Sequence, residues 1–385
     1  VIEHPIYLDH AATTPVREEA LAAMWPYFGG AFANPSSVHS PAVAPRDALA
    51  TARSMVAAVL GCAPDEVIFT AGGTESDAMA ILGVARASAA RGCHIITTTI
   101  EHEAVLAPCR QLEREGFDVT YLPVDRFGRV DPEVLVAAVR PDTILASIML
   151  ANNEIGTLQP IAEIASLLRA RGVLVHTDAV QAAGALDLSV DRLGVDLLTL
   201  SAHKIYGPKG VGALYVRRGT PLEPLVPGGG QERGRRGGTE NIPGIIGFAV
   251  ALNLASDERE RESARLIDLR QRLIEGVLAT VPGVVLTGHP TLRLPGHASF
   301  VFDGVSGEAV LVDLDMAGIA CSSGSACKAG STDPSHVLVA TGFPPFSARN
   351  GLRMTMGRET TSDDIDRVLA LLPQIVDELH SGVTA

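Results

Sequence analysis

Cysteine is scarce in this chain of 385 residues: Cys62, Cys93, Cys109, Cys321 and Cys327 are all there is. None stands in a C-x-x-C pair or at zinc-ligand spacing, so no metal centre is expected, and the odd count suits a reducing cytoplasm. No apolar run approaches membrane-spanning length, and the first residues lack a basic-then-apolar pattern, so neither a membrane nor a secretory route is expected. Positive charge is short as well: Lys and Arg number 31 against 44 Asp and Glu, a formal net charge of −13. Nucleic-acid phosphates need a basic face, so no direct nucleic-acid partner is expected. Neither a Walker pattern nor G-x-G-x-x-G occurs, and nucleotide binding is not indicated.

What the chain does have is regular alternation. Helical stretches (Pro45–Leu60, Ser76–Arg91, Val105–Glu115) interleave with short apolar strands from about residue 45 to 255. The strands read as Glu66–Thr70, His94–Thr99, Val119–Val124, Thr143–Leu150, Val173–Thr177, Val195–Ser201 and Val211–Val216. Strands separated by helices mean βαβ units and a mainly parallel sheet. From Asp257 a charged helix running to Leu278 marks a change of character, followed by a strand at Ala298–Phe302, a helix at Glu308–Ala317 and a last helix from Ser362. The length exceeds what one small core organises. The expected fold is α/β: a large domain, residues 13–256, with a mainly parallel central sheet flanked by helices, and a smaller α+β domain from 1–12 and 257–385.

Two strand ends carry the chemistry. Val173–Thr177 is closed by Asp178-Ala-Val-Gln181, and Val195–Leu200 by Ser201-Ala-His203-Lys204. Open α/β sheets bind ligands at such ends. A lysine there can form a Schiff base, and a buried aspartate keeps a pyridine nitrogen protonated, the two things pyridoxal phosphate asks of its protein. Singly, they would be a surface lysine and a helix cap. Together, with Gln181, Ser201 and His203 alongside, they point to the cofactor.

Thr70-Ala-Gly72-Gly73-Thr74-Glu75-Ser76-Asp77 joins a strand to a helix, a composition that caps many helices and also lets backbone N–H groups cup a phosphate. His102 follows a strand end and could lie against a pyridine ring, while Asn152-Asn153 could hold a cofactor oxygen or a substrate carboxylate. Cys327 stands among small and polar residues with Lys328 beside it, the setting of an exposed, nucleophilic thiolate. Cys321, after Ile319-Ala320, reads as buried and inert. The glycine-rich stretch 228–239 reads as a solvated loop or as one reaching a phosphate across a subunit boundary.

In order along nearly the whole chain, these motifs resemble the cysteine desulfurases of the NifS/IscS type, in the class V aminotransferase group of fold-type I pyridoxal phosphate enzymes. The resemblance rests on Leu8-Asp-His-Ala-Ala-Thr-Thr-Pro15, Asn34-Pro-Ser-Ser37, Gly73-Thr-Glu-Ser76, Glu101-His102, Asn152-Asn-Glu-Ile-Gly156, Asp178 with Gln181, Ser201-Ala-His-Lys204, Gly228–Arg233, Ser322-Ser-Gly-Ser-Ala-Cys327 and Leu352-Arg353. It implies that Lys204 holds the cofactor, Asp178 pairs with its ring nitrogen, Gln181 bonds its ring oxygen and His102 stacks on the ring and moves protons. Asn153 would also touch the cofactor. Gly73, Thr74, Ser201 and His203 would hold the phosphate, joined by Thr239 of the other subunit of a homodimer. Asn34, Asn153 and Arg353 would clamp the substrate carboxylate.

The implied reaction turns L-cysteine into L-alanine, with sulfur captured as a persulfide on Cys327 and passed to an iron–sulfur scaffold or another acceptor protein. A selenocysteine lyase or another β-lyase using the same cofactor is the alternative, and a pure scaffold role fits poorly with intact Lys204, Asp178 and His102. The Ser-Ser-Gly-Ser-Ala-Cys context resembles the first subgroup of the family, not the Arg-x-Gly-x-His-Cys second. Two departures stand out: Ala78 where an asparagine is expected, and Pro41 and Pro45 in a segment that lacks an expected glycine.

Overall fold

A computed structural model describes residues 5–323 and 333–382. Among these residues the strands are β1 (Ile6–Tyr7), β2 (Val67–Thr70), β3 (His94–Thr98), β4 (Asp118–Leu122), β5 (Thr143–Ser147), β6 (Leu174–Asp178), β7 (Leu197–Ser201), β8 (Gly212–Val216), β9 (Val284–Leu286), β10 (His297–Phe302), β11 (Ile319–Ala320) and β12 (Gly351–Thr355). The main sheet has seven of them in the order β2-β8-β7-β6-β5-β3-β4. Successive residues of its strands feed opposite faces, as strand geometry requires. Phe69, Ile96, Leu198 and Ala213 enter one apolar core, covered by the helix Val43–Leu60. Their neighbours Ile68, Ile95, Leu197 and Leu214 enter the other, under the helices Gly73–Ala87 and Glu103–Arg114. Burial on both faces is why these strands read as unbroken apolar runs.

Direction decides where the site lies. β3, β5, β6 and β7 are mutually parallel, while β8 runs antiparallel to both β7 and β2. β2 therefore shares the direction of β7, and Thr70 and Ser201 both lie opposite Gly212. The C-terminal ends of β2, β3, β5, β6 and β7 thus meet along one edge. β8 departs from the parallel rule because its connection to β7, residues 202–211, is too short for a crossover helix. A side chain at Gly212 would meet the Leu200 carbonyl at 2.6 Å and Gly72 at 2.8 Å, so glycine is needed for this close approach.

The smaller unit is the antiparallel sheet β12-β10-β9 against the helices Gly307–Met316 and Ser362–Ser381. Leu8 sits in its core with Phe300, Phe302, Leu352 and Met354. β12 escaped the sequence reading because Arg353 interrupts its apolar pattern, yet that arginine is almost fully buried. The helix expected to start at Asp257 is one element of 39 residues, Ile242–Thr280, capped by Asn241, whose side chain accepts the Gly244 N–H at 3.1 Å. Its first third is buried all round and so shows no amphipathic stripe to read. Ile242–Leu252 packs into the large core and Leu269–Val277 into the small one, and the charged stretch in between bridges the units. No helix among the described residues is long and apolar enough to cross a membrane.

The two departures are absorbed locally. Ala78 lies half-buried against the Ile68–Met79 cluster, and Pro41 and Pro45 occupy a 3-10 turn and the first turn of the helix Val43–Leu60, where a missing N–H costs little. The glycine-rich loop, in contrast, is anchored. Glu232 is buried in a two-pronged pair with Arg53, both contacts 2.7 Å, and accepts the Phe69 N–H at 3.1 Å, while Arg53 lies 4.7 Å over the Phe69 ring. Positive φ at Glu232 (47°) and Arg233 (59°) is the backbone strain this anchor sustains. Glu232→Ala leaves Arg53 buried and unpaired and should cost about 3–5 kcal/mol. Urea midpoints of the variant and of the apolar double replacement Arg53→Met/Glu232→Leu check this, the double variant being expected to lose less.

Candidate active site

A cavity of about 400 Å³ opens along the common strand edge. Lys204 follows β7 through the short turn Ala202–Lys204, and its ammonium donates to the carbonyls of Ala11 (2.5 Å) and Ala12 (2.8 Å). Asp178 closes β6, is 7% exposed and accepts the Val180 N–H at 2.9 Å. Burial raises its carboxyl above the ordinary range, against the opposing effects of that hydrogen bond, His102 and Lys204. Gln181 donates to Ala11 at 3.0 Å, which ties it to the segment that receives Lys204.

His102 caps the helix Glu103–Arg114: its Nδ1 accepts the Ala104 N–H at 3.1 Å, so the proton of the neutral ring sits on Nε2. At the neighbouring strand end, Gly73 opens the helix Gly73–Ala87, and a side chain there would meet Val180 at 2.9 Å and Ser201 at 3.5 Å. With Thr74, Ser201 and His203 these atoms line one end of the cavity beside the N–H groups of a fresh helix start, a ready anion site. Burial, with Lys204 and Lys209 nearby, lowers the His203 ring to about 4, and its Nδ1 lies 3.1 Å from the Thr13 hydroxyl. It is uncharged at neutral pH.

Arg353 of β12 also lines the cavity, held by Asp9 Oδ1 (2.7 Å) and by the Asn153 carbonyl (2.8 Å). The two asparagines divide their work. Asn152 is spent on the fold, donating to Ile100 and accepting from the N–H groups of Glu154 and Ile155, and Asn153 borders the cavity. Asn34 and Thr239 are exposed and do not line the cavity in the single chain; Asn34 turns its own loop through the Ser36 N–H at 2.9 Å. Cys327 lies outside the described residues. Cys321 is half-buried, not fully buried as expected, and burial with Asp9 and Asp315 pushes its thiol up to about 12, which keeps it unreactive.

Several residues with no role in the sequence reading prove part of the site. Asp9 orients Arg353, Asp77 lines the cavity, and Glu101 and Glu154 tie down its rim. Glu101 accepts from Thr98 (2.8 Å) and from the Met149 N–H (3.1 Å), and its backbone carbonyl takes the His336 Nε2 proton at 3.0 Å. Ser335 donates to Glu154 at 2.5 Å. Asp9, Asp77, Glu101 and Glu154 all stand in motifs quoted above, and only their burial distinguishes them from ordinary turn and helix-start acids.

Fold and cavity together define an enzyme built around pyridoxal phosphate: the chain belongs to the class-V aminotransferase family, whose profile matches residues 6–368. That family uses pyridoxal phosphate. The chain is 50% identical to a cysteine desulfurase IscS of Methanosarcina thermophila over 98% of its own length and 93% of that protein's. A second relative, a cysteine desulfurase IscS of Dictyoglomus turgidum, is 49% identical, with 99% and 96% covered. Among solved structures, one described as a NifS-like protein superposes with a TM-score of 0.92 at 37% identity, with 97% of this chain and all of that one covered. The donor set fits the cofactor: a lysine, a buried carboxylate and a glycine-lined helix start face one space.

Glu101 gives the site a pH signature. Burial raises its carboxyl from the ordinary 4.5 to about 8, so the folded state keeps a proton that the unfolded chain has released. Its contribution is intact below about pH 4.5 and is lost progressively as pH rises to about 8. Glu101→Gln, which keeps an acceptor but cannot ionise, should flatten the fall in stability over that window, as read from urea midpoints measured at a series of pH values.

Proposed function

We propose that the chain is a cysteine desulfurase that converts L-cysteine to L-alanine and carries the sulfur away as a persulfide on Cys327. The observation that carries this reading is that Lys204, Asp178, His102 and Arg353 all line one cavity, in a chain half identical to proteins named for that activity. Pyridoxal phosphate supplies an electron sink for charge developed at the substrate α-carbon. Lys204 anchors it and is the nearest amine to return a proton. Asp178 would accept the hydrogen bond of the ring nitrogen, Gln181 would meet the ring oxygen and Asn153 would border the cofactor. Gly73, Thr74, Ser201 and neutral His203 would hold the phosphate. His102 would lie against the ring and present its Nε2 proton.

Arg353, kept rigid by Asp9, takes the substrate carboxylate with Asn153 and Asn34. The Cys327 thiolate would attack the substrate sulfur, taking it as a persulfide as the carbon–sulfur bond breaks. The β-carbon would keep the electron pair and gain a proton to give alanine; the bound cofactor would supply the electron sink that makes this possible. The persulfide then moves to an iron–sulfur scaffold or another acceptor protein. Asn34 and Thr239 reach a cavity in a homodimer, a pairing supported by the exposed apolar patch of Leu21, Trp25, Phe28 and Phe32 close to Asn34 in sequence. We place the enzyme in the cytoplasm, and assign 13–256 to the cofactor-binding domain and 1–12 with 257–385 to the domain that bears Cys327.

Lys204→Ala should lose turnover, and borohydride treatment of the parent should fix the cofactor on the peptide containing Lys204; recovery on another lysine with turnover retained refutes the assignment. Cys327→Ala should keep cofactor binding and lose persulfide formation. Mass spectrometry after cysteine treatment should place the added sulfur on the Cys327 peptide, and sulfur on Cys321 instead would refute the assignment of Cys327. Competition between cysteine and selenocysteine, with alanine as the assayed product, separates this reading from a selenocysteine lyase.

A further inference from the structure

Behind Asp178 lies a second acid that the reaction above does not use. Asp77, the fifth residue of the helix Gly73–Ala87, lines the same cavity and is 1% exposed. Its Oδ1 accepts no hydrogen bond among the described residues. The nearest ring nitrogen, His176 Nε2, is 3.5 Å away and lies closer, at 3.0 Å, to the Thr199 hydroxyl. The other His176 nitrogen meets the Ser147 hydroxyl at 2.8 Å. Ser147, His176 and Thr199 come from β5, β6 and β7, so a polar layer runs across three adjacent strands and ends on Asp77.

None of this supplies a cation. Full burial lowers His176 to about 3, so its ring is neutral and cannot balance a carboxylate. At Asp77, burial above all, and then the negative potential of Asp178, favour the protonated form against the opposing hydrogen bond of the Thr199 side chain. Asp178, by contrast, has the Lys204 ammonium near it. Two adjacent buried carboxyls do not both ionise at low cost, and the proton stays with the one that lacks a cation.

We propose that Asp77 is a positioning residue that stands as a neutral acid behind Asp178 and confines the negative charge of this wall to the carboxylate facing the cofactor's ring nitrogen. The inference rests on the role given to Asp178 above. A neutral Asp77 can donate where an ionised one could only accept, and it leaves Asp178 the sole anion to which a pyridinium is drawn. An asparagine has nearly the same shape and the same lack of charge, so it should substitute; an alanine should not.

The test uses the full chain, purified, stripped of cofactor and reloaded with pyridoxal phosphate. At neutral pH the infrared difference between the parent holoenzyme and Asp77→Asn should contain the carbonyl stretch of a protonated carboxyl group, shifted by isotope-labelled aspartate. Asp77→Asn should bind pyridoxal phosphate within about twofold of the parent, and Asp77→Ala about tenfold or more weakly. Absence of the band, loss in the asparagine variant as large as in the alanine variant, or an alanine variant with parental affinity would each overturn the proposal. If Asp77→Ala does not fold, the band and the asparagine variant decide alone. Asp178→Asn serves as the separate control: an unchanged absorbance spectrum of the bound cofactor in that variant refutes the reading of Asp178, whereas the protonation of Asp77 is read independently of it.

Discussion

The carbonyl groups of Ala11 and Ala12, which receive the Lys204 ammonium, belong to a short segment on which both halves of the cavity depend. Leu8 is packed in the small core, Asp9 holds Arg353, and the Thr14 N–H reaches the His203 carbonyl at 2.9 Å while its hydroxyl accepts the Tyr206 N–H at 2.7 Å. Residues 8–14 therefore fix the distance between a sheet edge in one unit and a guanidinium in the other. The spacing between lysine and arginine is thus set by backbone hydrogen bonds, which hold their length better than the tips of flexible side chains.

The charge pattern follows from burial as much as from residue type. His176 and His203 are both driven neutral, so the positive potential near the helix start comes from backbone N–H groups and not from imidazolium. Arg353, which also lines the cavity, is paired with Asp9 at 2.7 Å, a charge-assisted contact that fixes the guanidinium. The cavity thus gathers a helix start, the buried acids Asp77 and Asp178 and a guanidinium in one lining.

The strand ends bearing Asp178 and Lys204 were legible because β-branched apolar runs stopped abruptly at polar residues, a pattern both faces of a buried strand impose. The glycine-rich loop was not, since its anchor is one glutamate whose partner, Arg53, is distant in sequence. Asp77 carried no signal at all: an acid near the start of a helix is ordinary, and only the third dimension shows that the His176 beside it is neutral. Asn34 and Thr239 were legible only through the resemblance, and a single chain leaves both at the surface. The start of the helix at Ile242 was missed for the opposite reason, since complete burial erases the periodicity by which helices are read.

That helix has a mechanical consequence. At a rise of about 1.5 Å per residue its 39 residues form a rod close to 60 Å long, rooted at one end in each core. A continuous hydrogen-bonded helix has no soft joint, so the units cannot swing about this connection as domains on a tether do. Motion that admits substrate or releases alanine must come from loops and the rim, with the rod as a fixed frame. Loss of either core also exposes half of the rod, and because helices propagate cooperatively that loss is transmitted along it. Heat or denaturant then meets one melting body in place of two.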